Sequence, residues 1–266
     1  MASLQNSLPP EPSPPVETPA PPARDPVWTG GDVVVLLLIA FFTLLFCGVV
    51  IGVYAAAFHP KQKPEEVAGM PVISILAQTV TSVLVLAAMY WMVVRRYRSR
   101  FWSAVRWSWP AHQQALLCAL LGVTMALLVD FASSLAPMPK SLPIYKLLGT
   151  TASAYALALY GILLAPLVEE LFFRGFLYPV LARRFGLAAA VLLTSFGFML
   201  IHTSQLAGTW LPLLILFCVG VIFTLARAFT GSVAVPFVIH TFYNATLFAG
   251  LFFSTGYFRH MERMMQ

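Results

Sequence analysis

Seven apolar stretches, each close to the ~20 residues needed to cross a bilayer, dominate this 266-residue chain and decide what it can fold into. They run over about 33–57, 72–94, 114–135, 154–174, 187–203, 210–229 and 233–253. Backbone polar groups in hydrocarbon have no water to bind, so each stretch must satisfy them within itself, as a helix does. The chain is 59% hydrophobic and only 10% charged, too little polar surface for a soluble core of this size. The expected fold is all-α, a polytopic transmembrane helical bundle of about seven to eight spans.

The flanks of these stretches fix an expected orientation. Arg95, Arg96, Arg98, Arg100 and Arg106 form the densest positive cluster, and the positive-inside rule puts their loop in the cytoplasm. The N-terminus then lies inside, with Arg183, Arg184 and Arg227, while the C-terminus falls outside although it carries Arg259 and Arg263. Residues 1–30 form a Pro-rich tail with too few large apolar residues to fold, expected to be disordered and cytoplasmic. No basic segment precedes the first apolar stretch, which at about 25 residues is too long for a signal peptide and should remain as a span. The formal charge of +6 does not point to nucleic acid, because the basic residues crowd span ends rather than forming a basic-aromatic surface. Trp28, Trp91, Trp102, Trp107, Trp109, Trp210 and Tyr257 flank spans as an interfacial belt would. Cys47, Cys118 and Cys218 lie far apart inside apolar stretches and read as small buried hydrophobes.

Three acidic residues interrupt the apolar stretches: Asp130, Glu169 and Glu170. A charge at mid-bilayer costs roughly 2.5–3.5 kcal/mol on insertion scales, and such residues mark functional sites by default. Asp130 stands alone and reads as a helix-packing or water-cavity residue. Glu170 and Arg174 are i and i+4, so they share a helix face and can pair, while Glu169 points about 100° away. One carboxylate is thereby held by Arg and the other left free for a substrate or water, as a general base requires. A buried ion pair that only locks helices remains an alternative at this point. His202 sits near a span end and reads equally as a structural residue. His240 and Asn244, again i and i+4, can be helix–helix glue or donors to a developing oxyanion. Other intramembrane chemistries lack their motifs: there is no His-Glu-x-x-His, no Gly-x-Gly-Asp and no Gly-x-Ser-x-Gly.

Taken in order, Glu169-Glu170-x-x-x-Arg174, Phe198-x-x-x-His202 and His240-x-x-x-Asn244 resemble the motif set of the CPBP family. These are the CaaX-protease and bacteriocin-processing membrane proteins, related to the Ras-converting prenyl-protein endopeptidases. The flanks agree, in Ala165-Pro166-Leu-Val-Glu-Glu-Leu-Phe-Phe-Arg-Gly-Phe-Leu and in Gly231-Ser-Val-Ala-Val-Pro236-Phe-Val-Ile-His240. The resemblance implies a catalytic transmembrane core over 151–254, preceded by N-terminal spans over 31–150 and followed by a C-terminal tail over 255–266. It implies a glutamate-dependent intramembrane endopeptidase. In it Glu169 is the general base, His202 orients the attacking water, and His240 and Asn244 form the oxyanion hole. Glu170 and Arg174 support the site, and Phe198 packs against and places His202.

The implied substrate is a membrane-associated, possibly lipidated, peptide or protein, and the implied place is a bacterial inner membrane. No cofactor is expected, although Glu169, His202 and His240 could also ligate zinc with an open position. Two rivals carry over: a non-proteolytic scaffold that sequesters a signalling protein, and a small transporter with a carboxylate proton relay. The scaffold has no need of ionisable groups in the bilayer, and the transporter would need inverted repeats that are not visible.

Overall fold

The computed structural model describes residues 25–135 and 143–260, and no strand occurs among them. Most of the Pro-rich tail and Arg263 lie outside the described residues. Six helices are long and apolar enough to cross a membrane. Helix α1 is Gly30–Phe58, α2 is Pro71–Arg96 and α3 is His112–Ser134. A 50-residue helix, Thr151–Leu200, follows, then Trp210–Thr230 and Ala234–Ser254.

The 50-residue helix is not straight. Gly186 has φ 79° and ψ 176°, a conformation open to glycine and strained for other residues. The two arms fold back on each other there. Phe173 meets Phe198 edge-on with ring centroids 5.4 Å apart, and Tyr178 packs in one cluster with Ala190 and Val191. We label the arms α4 (151–185) and α5 (187–200), and the last two helices α6 (Trp210–Thr230) and α7 (Ala234–Ser254). At 1.5 Å per residue α5 rises only about 21 Å, short of the ~30 Å hydrocarbon core. The expected seven to eight separate spans therefore become six long helices, with the fourth and fifth stretches joined in a hairpin.

A second correction concerns where α4 ends. Its apolar stretch was expected to stop at Arg174, but the helix continues to residue 185 because Arg174 is fully buried inside the bundle rather than marking its edge. The Glu169-Glu170 pair consequently sits in mid-helix.

Loop contacts sort the helix ends into two faces. On one face Trp28 Nε1 donates to Phe176 O at 3.0 Å, Val233 N to Arg106 O at 3.0 Å, and Arg183 Nη1 to Pro26 O at 2.8 Å. All the arginines of 95–106, with Arg183, Arg184 and Arg227, gather at this face. On the opposite face Ile144 N donates to Gln205 O at 3.3 Å, and Thr151 Oγ1 to Phe258 O at 2.9 Å. Helices α3 and α7 both start at the arginine-rich face and run parallel. They touch at Gly122, where a Cβ would lie 2.3 Å from Ile239 O, so only glycine lets the backbones approach so closely.

The core is built where α2 to α7 converge, around Met89, Met125, Leu171, Phe176, Phe198 and Phe223. Trp28, expected at the interface, is instead buried and stacks on Phe176 at 4.3 Å. Trp107 is half-buried against the core, and the remaining belt residues Trp91, Trp102, Trp109, Trp210 and Tyr257 are exposed. None of the three cysteines is buried as expected: Cys47 and Cys118 are half-buried, Cys218 is exposed, and all three are free. The start of α1 is fastened by Asp32, 2% exposed, which accepts from Thr29 N at 2.8 Å and from the Tyr97 phenol and pairs with Arg96 at 2.9 Å. Burial and the hydrogen bond to Asp32 hold the Tyr97 phenol above its usual pKa.

Candidate active site

The carboxylate pair lies in a short α-helical stretch, Ala165–Glu170, between two π-helical segments, Tyr160–Leu164 and Leu171–Leu177. Such widened turns recur at functional sites because they leave backbone groups without their usual partners. Here the cause is visible. Ala165 N bonds Tyr160 O, so the next carbonyl, Gly161 O, would look to residue 166, which is proline and has no N–H. Asn244 Nδ2 donates to Gly161 O instead, at 2.6 Å. A Cβ on residue 161 would sit 2.8 Å from the Phe248 ring, so glycine there admits α7 close enough for that bond.

Behind the cavity Glu170 and Arg174 are both fully buried. Arg174 Nη1 donates to Glu170 Oε1 at 2.9 Å, Nε to Thr224 Oγ1 at 3.2 Å and Nη2 to Gly220 O at 2.9 Å. Its guanidinium lies 4.6 Å from the Phe198 ring centroid and 5.4 Å from that of Phe223. A buried charge needs this combination of counter-ion and hydrogen bonds to be tolerated. Gly220 and Thr224 are the anchors that the sequence reading missed. Their signal was a small and a polar residue at i and i+4 in an otherwise apolar helix.

Glu170 Oε1 also accepts from His240 Nδ1 at 2.8 Å. The carboxylate can only accept, so the hydrogen is on Nδ1 and the neutral ring presents a bare Nε2. His202 is set in the same way: its Nδ1 lies 2.9 Å from Phe198 O, a carbonyl that also only accepts. The two bare Nε2 atoms converge on Glu169 from either side. His240 Nε2 is 3.9 Å from Glu169 Oε2, and His202 Nε2 is 4.0 Å from Glu169 Oε1. These gaps are too long for direct hydrogen bonds, and a water seated beside either pair would be within reach of both atoms. A water in either gap would give one hydrogen to the carboxylate and one to an imidazole, leaving its lone pairs turned outward. The arrangement is suited to activating water.

Glu169, His202, His240, Asn244 and Phe198 all line one cavity of about 910 Å³. Glu170 and Arg174 stand behind its wall. Asp130 lines it too, exposed and four residues from the end of α3. Among the described residues no group of three or more His, Cys, Asp or Glu is arranged to hold a metal ion.

Residues 151–246, the segment that supplies every one of these motif residues, match the family described as type II CAAX prenyl endopeptidase Rce1-like. The segment is thus similar to a CaaX-protease domain of that kind. Its match begins at the first residue of α4 and ends two residues past Asn244, so the Rce1-like segment and the site coincide. The first three helices lie outside it. No curated protein and no solved structure matches the chain. The molecule is thus an integral membrane protein with a protease-family segment in its second half.

Proposed function

We propose that the chain is a glutamate-dependent intramembrane endopeptidase that hydrolyses a peptide bond in a membrane-associated peptide or protein. The observation that carries this reading is the Glu169 carboxylate flanked at 3.9 and 4.0 Å by two imidazole nitrogens whose protons are tied down on the far side of each ring. A helix-locking ion pair needs Glu170 and Arg174 only. It gives no reason for Glu169, 18% exposed, to face a cavity between two histidines.

Glu169 takes a proton from the bound water as the water oxygen forms a bond to the scissile carbonyl carbon, and the carbonyl oxygen becomes an oxyanion. Asn244 has one N–H on Gly161 O and offers the second to that oxyanion. His240 can donate from Nε2 only once it has gained a proton, with Glu170 stabilising the imidazolium through Nδ1. The tetrahedral intermediate then breaks its C–N bond as the proton passes to the leaving nitrogen. Phe198 holds His202 through its carbonyl, and Arg174 holds Glu170.

The arginine-rich face is the cytoplasmic one on the positive-inside rule, which places the N-terminus inside, as in a bacterial inner membrane. The cavity's wall is drawn from the opposite half of the bundle, through Ile144, Gln205, Ser254 and Thr255. The substrate therefore approaches from the non-cytoplasmic side. Incubating purified wild-type and Glu169→Ala protein with membrane-anchored peptides, a farnesylated CaaX peptide among them, tests the reading. Cleavage by the wild type alone supports it, and absence of cleavage by two folded proteins points to the scaffold.

A further inference from the structure

The cavity continues well past Glu169. Along α4 it is walled by Leu157, Tyr160, Gly161, Ala165 and Glu169, and along α7 it runs from His240 to Thr255. At 1.5 Å per residue that is roughly 20 Å, room for about six residues of extended peptide. On the facing helix α3 its wall is Ala126, Leu127, Val129, Asp130 and Ser133. Asp130 is the one acidic residue of that helix, and the proteolytic reading gives it no task.

Its position along the cavity follows from the helix packing. Helices α3 and α7 run parallel and touch at Gly122, against Ile239 and Tyr243, which bracket His240. Asp130 is eight residues further along α3, about 12 Å beyond the level of His240 and Asn244. Asp130 is exposed near the far end of α3, on the wall that a bound peptide would follow, and an ionisable group within a span faces a protein cavity or water rather than lipid. Among the described residues that line the cavity there is no Lys or Arg. The nearest buried cation, Arg174, is turned away and committed to Glu170, Gly220 and Thr224. The charged lining is therefore acidic, Asp130 at one level and Glu169 at the other. Such a wall favours a cationic group and repels a carboxylate.

We infer that the cavity takes an apolar peptide segment carrying a basic side chain, which Asp130 binds about three to four residues from the scissile bond. The inference rests on the proteolytic reading for its direction, since the distance is counted from the level of His240 and Asn244, where that reading puts the scissile bond. A substrate anchored by a free carboxylate at the same depth would meet repulsion there instead. Asp130 is in this account a specificity-determining residue and takes no part in bond breaking.

The test uses full-length protein in vesicles and a set of apolar fluorescent peptides that differ only in whether one scanned position is Lys, Gln or Glu. In the Glu169→Gln background Asp130 is the remaining carboxylate on the described cavity wall, so binding isolates its effect. The Lys peptide should bind at least about 10-fold more tightly than its Glu counterpart, as a charge-assisted contact requires. The preference should vanish in Glu169→Gln/Asp130→Asn and reverse in Glu169→Gln/Asp130→Lys. Equal binding of the three peptides to Glu169→Gln protein overturns the inference without any change at Asp130, so a misfolded variant cannot protect it. A Lys preference that survives Asp130→Asn overturns it as well. Cleavage of the same peptides by wild-type protein is scored separately. A binding preference without glutamate-dependent cleavage refutes the protease and leaves the cation site standing.

Discussion

Arg174→Met separates what the buried ion pair does for the fold from what it does for the chemistry. Methionine fills much of the space but leaves Glu170, fully buried, without its 2.9 Å partner, and frees Gly220 O and Thr224 Oγ1. Breaking a buried pair by removing one member costs about 3–5 kcal/mol, because the remaining charge is uncompensated. For a chain of this size, about 2–4 °C per kcal/mol makes that a fall in Tm of roughly 6–20 °C. Adding Glu170→Gln to Arg174→Met removes the stranded charge and should recover most of the Tm. Activity should not return, because the carboxylate that fixes His240 through Nδ1 at 2.8 Å is then gone. Scanning fluorimetry in detergent reads the stability, and peptide cleavage reads the activity. An Arg174→Met protein with unchanged Tm would refute the energetic argument. A double variant with wild-type turnover would refute the role given to Glu170.

Asn244→Ala should lower kcat by ~10²–10³ while the protein stays folded, as loss of one oxyanion donor does; wild-type turnover would contradict it. Gly161→Ala drives a Cβ to 2.8 Å from the Phe248 ring and displaces α7, and a shift near 1 Å in the position of Asn244 should cost about 10²-fold in rate. Gly122→Ala places a Cβ 2.3 Å from Ile239 O and should destabilise the bundle by about 1–3 kcal/mol, measured as a lower Tm. Strong chelators should leave peptide cleavage unchanged and metal analysis of the active protein should find no stoichiometric zinc; loss of activity restored by zinc would replace the proposed water activation with metal chemistry.

Much of this architecture is legible in the chain because a bilayer allows so few solutions. Apolar stretches of the right length must be helices, and all seven stretches are helical, though six make full-length spans. The i, i+4 spacing of Glu170 and Arg174 dictates their pairing, and the 100° offset turns Glu169 away from it. The rest depends on which helices meet. Arg174 resembles the end of a span because arginines usually sit there, and only Gly220 and Thr224, 46 and 50 residues away, make its burial possible. The tautomers of His202 and His240 follow from a carbonyl and a carboxylate that no local spacing reveals. The hairpin at Gly186 was hidden because a lone glycine between apolar runs marks a bend without giving its direction. Trp28 was placed at the interface from its position beside a span, whereas tertiary contact with Phe176 buries it.

The central claim is that Glu169 activates the water that cuts a peptide bond. Its most direct test is mass spectrometry of peptides incubated in vesicles with wild-type protein and with Glu169→Gln, the near-isosteric change that removes the base and leaves the cavity's shape. The account expects new termini from a single bond with the wild type and none with the variant. Equal cleavage by both, or cleavage by neither when both bind the peptide, would contradict it.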